Sequence, residues 1–307
     1  MSSAFGQYLK LSIFGQSHGE ALGVTLDGFP AGMTIDMEQL LAEMARRAPG
    51  QSLMTTARKE PDAPEFLSGV LNGRTTGQPI CAIIRNTNQR SKDYGDGVDL
   101  VRPGHADYTG HVRYFGFEDW RGGGSFSGRL TAGIVLAGAL CSQYLAHRGV
   151  KIACHIQQLG DVRDASFLTA DAAADYASLK GMHLPVLTAG LNQQMEEAVL
   201  AARDKQDSVG GVLECMVTGL PAGLGAPFFD SVESVLSHLL FAIPAVKGVE
   251  FGEGFGFASM RGSQANDPFR MENGEVTTES NHSGGINGGI TNGMPVIFRC
   301  AVRPTPS

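Results

Sequence analysis

The 307-residue chain has no surplus of positive charge: 24 Lys and Arg stand against 31 Asp and Glu, a net charge of −7. A nucleic-acid-binding surface is therefore excluded as its main function. Cysteine is scarce. Cys81, Cys141, Cys154, Cys215 and Cys300 are odd in number, scattered and without a C-x-x-C pair, so neither a disulfide framework nor a metal site is expected and the thiols are expected to be reduced. The first residues, Met1-Ser-Ser-Ala-Phe-Gly-Gln, lack a basic stretch with a hydrophobic run behind it. No apolar run is expected to span a bilayer, which predicts a cytoplasmic chain with no membrane partner. No linker, low-complexity tract or repeat cuts the sequence, so residues 1–307 are expected to form one domain.

Glycine is what the chain has in excess. Its 41 glycines are roughly twice the usual share and cluster at 122–124, 252–256 and 284–293. Glycines so placed allow a backbone to approach a ligand closely or to turn with positive φ. Positive charge, though scarce overall, is also concentrated: twelve Lys and Arg against nine acids lie between Arg46 and Arg129. That asymmetry suits a basic funnel for a small polyanion.

Within this segment Arg102-Pro-Gly-His-Ala-Asp-Tyr-Thr109 is followed by Arg121-Gly-Gly-Gly-Ser-Phe-Ser-Gly-Arg129. The second stretch opens onto an apolar helix pattern, and a helix N-terminus favours bound phosphate or carboxylate. His105 sits within the first stretch, between Arg102 and Arg121. Of the eight histidines, His18 and His105 lie in Gly-flanked loops beside Ser17 and Asp107, and His282 in a comparable Asn-His-Ser-Gly loop. His111, His147, His155, His183 and His238 need only structural roles.

Alternating apolar residues predict strands over Tyr8–Phe14 and its hairpin partner Ala21–Phe29, and further strands over Phe66–Leu71, Pro79–Arg85 and Val209–Thr218. Asp36 is suited to cap a helix from Met37 to Arg47. Helices are expected at Leu130–Arg148, Gln193–Arg203 and Ser231–Ile243. The first is apolar nearly all round, so it must be a buried central helix. The expected class is α+β, with central helices packed between antiparallel sheets.

Two literal motif matches are weak. Gly15-Gln-Ser-His-Gly19 fits the nucleophile elbow of serine hydrolases, but strand residues follow it where that motif demands a helix. Gly284-Gly-Ile-Asn-Gly-Gly-Ile-Thr-Asn-Gly293 lacks dinucleotide spacing; it is either a cofactor-contacting loop or a set of β-turns.

Taken together, Phe14–Gly19, Arg46-Arg-Ala-Pro-Gly50, Thr55–Asp62, Leu67–Val70, Asn88–Tyr94, Arg102–Asp107, Arg121–Gly124, Asp207–Gly211, Ala245–Gly248, Asn281–Gly289 and Arg303–Ser307 resemble the chorismate synthases. They occur in family order across the chain. The resemblance implies a β-α-β sandwich and a homotetramer that eliminates phosphate from 5-enolpyruvylshikimate 3-phosphate, with reduced FMN as cofactor. It implies that His18 is the acid facing the leaving phosphate and that His105 lies by the flavin. Ser17, Arg47, Arg102 and Arg129 would hold substrate. Ser125, Phe126, Ser127, Ala245, Gly288, Arg303, Pro304, Thr305, Pro306 and Ser307 would hold FMN. Such roles agree with the chemistry, because guanidinium forks clamp phosphate and carboxylate and imidazole moves protons near neutral pH.

The chain departs from the family pattern at Gln16 (commonly Glu), Leu53 (Arg), Pro244 (Asn) and Arg303 (Lys). The resemblance also implies a tail beyond Ser307 with an Arg-His-Asp-Pro segment, which this sequence does not include. That makes a flavin-binding but inactive paralogue the alternative to an active synthase, with serine hydrolysis at Ser17 far behind. With no nucleotide fingerprint, NADPH is expected to reduce the flavin through an external reductase.

Overall fold

The computed structural model describes residues 3–50, 60–87, 101–172 and 174–306. Backbone contacts divide the chain into two compact units, Met1–Tyr144 and Leu145–Ser307.

The N-terminal unit is organised by seven strands: β1 (Ala4–Phe5), β2 (Lys10–Gly15), β3 (Ala21–Asp27), β4 (Pro64–Ser68), β5 (Val70–Leu71), β6 (Arg74–Thr75) and β7 (Ile80–Arg85). Five make an antiparallel sheet in the order β1-β2-β3-β7-β4. Alternation decides which face is buried. Leu22, Val24 and Leu26 of β3 and Ile80, Ala82 and Ile84 of β7 all point into one core. Two helices supply the rest of that core: Leu40 and Met44 from α1 (Met37–Arg47), and Ala132, Leu136, Ala137, Ala139 and Leu140 from α3 (Thr131–Ala146).

Asp36 caps α1 as expected, its side chain accepting from Gln39 N at 2.9 Å. Gln143 of α3 completes the junction. Its Oε1 accepts from Asp36 N at 3.0 Å and its Nε2 donates to Asp36 O at 2.8 Å. The Gly128–Ala146 stretch is long and apolar enough by composition to cross a membrane, contrary to the expectation that no run reaches that length. Its apolar residues are accounted for by the core they fill. In sequence, α2 (Asp107–Tyr114) lies between β7 and α3; periodicity did not reveal it because it is polar and short.

The C-terminal unit contains β8 (Lys151–Leu159), β9 (Val162–Arg163), β10 (Gly211–Thr218), β11 (Val246–Phe251), β12 (Phe269–Glu272), β13 (Glu275–Thr278), β14 (Ile286–Asn287), β15 (Ile290–Thr291) and β16 (Val296–Val302). A five-stranded antiparallel sheet runs β11-β16-β10-β8-β9. Helices α4 (Leu191–Asp204) and α5 (Val232–Phe241) belong to this unit. Phe167, Leu179, Met216 and Ile297 form one core, and Ile286, Val296 and Phe298, with Val232, Leu236 and Leu240 of α5, form another. Mixed helices and antiparallel sheets make the fold α+β.

The cysteine expectation needs correction. Cys154 and Cys215 are register partners on β8 and β10 and are joined by a disulfide; Cys81, Cys141 and Cys300 are free. Partners 61 residues apart in sequence carry no local spacing signal, because sheet register alone makes them neighbours.

Candidate active site

Ser17 and His18 lie in the loop between β2 and β3. The G-x-S-x-G match is thus a hairpin connection, strand to strand, and the strained strand-to-helix turn that exposes a hydrolase serine is absent here. Ser17 is 1% exposed and His18 8% exposed. The Ser17 N–H donates to Gly124 O at 3.1 Å, which ties the loop to the triglycine segment. Gly122, Gly123 and Gly124 all have positive φ, at 59°, 81° and 51°. A Cβ on Gly122 would overlap Cε1 and Nδ1 of His18, so glycine there serves both the turn and the close approach to the imidazole.

Asp119 lies beside this wrap. Its carboxyl titrates below the usual carboxylate range, chiefly because Arg121 binds it through Nε and Nη2 at 2.8 Å each. The positive charge of His18 adds a smaller contribution in the same direction.

The arginines around the loop converge on one carboxylate. Asp62, 0% exposed, accepts from Arg47 Nη1 at 2.5 Å through Oδ2 and from Arg129 Nη1 through Oδ1. Arg129 also donates from Nε to Asn86 Oδ1 at 3.0 Å and from Nη2 to Arg85 O at 3.5 Å. Its side chain is 3% exposed, so it acts from behind the surface. Arg47, with 17% of its side chain exposed, is the outward edge, donating also to Thr131 Oγ1 and Gly128 O at 3.4 Å each. Two guanidinium groups on one carboxylate leave an excess positive charge. Low-dielectric surroundings strengthen its pull on an anion.

Arg102 and His105 form a separate cluster at the start of α2. Arg102 binds Asp107 through both Nε and Nη2 at 2.8 Å, and its backbone N–H donates to the same carboxylate at 3.0 Å. These bonds hold the Asp107 carboxyl down to about 2; burial opposes them and His105 assists slightly. His105 is exposed, and its N–H donates to Arg102 O at 3.2 Å. Helix α2 reaches the Ser125–Ser127 segment through Tyr114, whose ring lies 6.0 Å from that of Phe126. Ser125 and Phe126 are exposed. The Ser127 hydroxyl accepts from Arg129 N at 3.3 Å, so it caps the turn before α3.

The remaining expected cofactor residues belong to the C-terminal unit. Ala245 takes a left-handed conformation, φ 72°, and its carbonyl accepts from Arg303 N at 3.0 Å. Thr305 O accepts from Ser208 Oγ at 2.6 Å, and Pro304 and Pro306 flank it beyond the end of β16. Gly288 and Gly289 form the two-residue turn of the β14–β15 hairpin with φ of 61° and 83°, so the glycine-rich run contains a primed turn. The Cα of Gly288 faces open space. Ser307 lies outside the described residues, as do Leu53 and the Asn88–Tyr94 motif.

Asp62 and Asn86 are site residues that motif reasoning did not single out. The signal was indirect: arginines gathered in one segment must share buried counterions, and Asp62 closes the Thr55–Asp62 motif. Among the described residues no cluster of His, Cys, Asp and Glu could hold a metal. His155, given a bland role from sequence, is fully buried, its Nδ1 3.2 Å from Asp164 and its Nε2 2.9 Å from Glu214.

Comparison with known proteins is consistent along the whole chain. Residues 9–307 match the chorismate synthase family profile. A chorismate synthase of Dehalococcoides mccartyi is 44% identical over 307 residues, covering 100% of this chain and 84% of the relative. One of Methanosarcina acetivorans is 46% identical over 303 residues, covering 99% and 82%. A crystal structure of chorismate synthase superposes with a TM-score of 0.80 at 29% identity, covering 97% of this chain and 85% of that one.

Proposed function

The chain belongs to the chorismate synthase family, and from that premise we propose which of its residues bind and protonate the substrate. The enzyme is a lyase of aromatic amino acid biosynthesis that forms chorismate. Its substrate, 5-enolpyruvylshikimate 3-phosphate, loses phosphate and a ring proton, and carries a phosphate and two carboxylates.

The observation that carries the assignment is the Arg47–Asp62–Arg129 cluster beside the Ser17–His18 loop. Arg47 offers the outward guanidinium to a substrate anion, and Arg129 behind it supplies charge that Asp62 alone does not neutralise. Ser17 adds a hydroxyl. Arg102 joins the substrate contacts by exchanging Asp107 for a substrate oxygen. His18, held against Gly122, donates a proton to the departing phosphate. His105, exposed at the head of α2, governs protonation at the cofactor.

The donor set suits reduced FMN. In the N-terminal unit the hydroxyls of Ser125 and Ser127, and in the C-terminal unit Arg303 and the Thr305 hydroxyl, are each of a type that binds a phosphate monoester, and the open turn at Gly288 presents backbone to a flat ring edge. Phe126 contributes an exposed aromatic face, while Ala245 fixes Arg303 through its carbonyl; Pro304, Pro306 and Ser307 complete the strap. When bound, reduced FMN supplies transient electron density for the elimination, and reducing equivalents from NADPH reach it through a separate reductase. The chain works as one synthase domain, in the cytoplasm, and assembles into a homotetramer. Phe228, Phe229 and Phe255, almost fully exposed, are the kind of side chains that interfaces cover.

Replacing Arg47 by Ala is expected to weaken substrate binding about ten- to hundredfold, the equivalent of one charge-assisted hydrogen bond of roughly 1.5–3 kcal/mol. FMN affinity should not change. Titration calorimetry with each ligand checks this, and unchanged substrate affinity in a folded R47A protein would remove the cluster from the site.

A further inference from the structure

Asn86 stands directly after β7, with one foot on each half of the substrate machinery. Its Nδ2 donates to Gln16 O at 3.0 Å and to Gly19 O at 2.7 Å, the two carbonyls that bracket Ser17 and His18. Its Oδ1 accepts from Arg129 Nε at 3.0 Å. Its backbone N–H donates to Glu20 O at 3.1 Å, pinning the same loop at its exit.

This network admits one orientation of the amide. Carbonyls can only accept and a guanidinium can only donate, so a flipped side chain would face acceptor to acceptor and donor to donor. No other residue of this size offers two donors on one side and an acceptor on the other. Aspartate has the shape but no donor, serine has a single donor, and alanine has neither. A hairpin loop needs its carbonyls satisfied in some way, but water or a lysine could do that. Satisfying them from the atom group that also orients Arg129 links the imidazole loop to the anion cluster.

We propose that Asn86 is a positioning residue of the reaction: it holds the His18 imidazole in register with the Arg129–Asp62–Arg47 cluster, so that the proton donor meets the phosphate the arginines bind. The inference rests on the reading of His18 as that donor. A purely structural Asn86 would stabilise the hairpin and leave turnover per folded molecule unchanged.

The Asn86→Asp variant separates the two roles. It keeps an acceptor for Arg129, now a charged one, but it loses both donors to the loop. With reduced FMN and saturating substrate under anaerobic conditions, kcat should fall about 10- to 100-fold, as expected when a reacting group is displaced by about an ångström; KM should rise as well, because the new carboxylate offsets the positive charge of the arginine cluster. In the flavin-free protein, the imidazole ¹⁵N resonances of His18, assigned by comparison with His18→Gln, should shift in N86D while those of the other histidines stay in place. Folded fraction is checked by thermal unfolding. Should N86D fail to fold, Asn86→Ser, with one donor in place of two, is read in the same way. An unchanged kcat in the folded variant, or an unmoved His18 resonance, overturns the inference. His18→Ala distinguishes the levels: if it retains activity, the reading of His18 fails; if it is inactive while N86D turns over normally, only the positioning role fails.

Discussion

His18→Ala is expected to lower kcat by about 10²–10⁴-fold, the usual contribution of a general acid or base, while leaving the protein folded. Phosphate leaves more readily when it is protonated as the C–O bond breaks. His18 is 8% exposed and its imidazole is packed where a Cβ on residue 122 would otherwise sit, so it is held in one place without bulk water as a competing proton donor. Alanine removes the donor, and neither Ser17 nor the adjoining glycines carries a group that titrates near neutral pH. His105→Ala should fall in the same range for a different reason, because that histidine is proposed to act at the cofactor. Anaerobic steady-state assays with reduced FMN measure both. A loss of less than about tenfold in either variant, short of the acid–base range, would remove that histidine from the chemistry.

The largest expected effect on stability is at Asp62. Its carboxylate is fully buried and carries two guanidinium groups. Removing one member of a buried ion pair costs about 3–5 kcal/mol, because the partner charge stays buried without compensation. Here two cations lose their common anion and then repel one another. Asp62→Ala should therefore lower the unfolding free energy by about that amount. Combining it with Arg129→Met, which replaces the buried partner charge by an apolar side chain, should recover part of the loss. Urea denaturation of the two variants decides; a D62A protein within about 1 kcal/mol of wild type, the range of an exposed pair, contradicts the picture of a shared buried counterion.

Much of the fold was legible because periodicity and capping are local. Asp36 at the head of α1 and the alternation in β3 and β7 are visible in a few residues each. The strands β8, β11 and β16 were not visible, because runs such as Lys151–Leu159 mix Ala, Cys, His and Gln and depend on neighbouring strands for burial. Helix α2 hides in a motif that reads as an anion loop, and its Arg102–Asp107 pair shows why: the charges that mark a binding segment also pair across the first turn of a short helix. The candidate reacting groups stood out in the sequence, since loop histidines and clustered arginines are informative by type. Their supports did not. Asp62 and Asn86 matter through partners 15 to 70 residues away in sequence, and no spacing rule encodes a contact made across a sheet. The Cys154–Cys215 pairing escaped for the same reason.

Product formation is the most direct test of this site. Purified protein, mixed anaerobically with reduced FMN and 5-enolpyruvylshikimate 3-phosphate, is predicted to release chorismate and inorganic phosphate in equal amounts, with the flavin still reduced at the end. Binding of both ligands without chorismate, or chorismate appearing only as flavin is consumed in proportion, would contradict it.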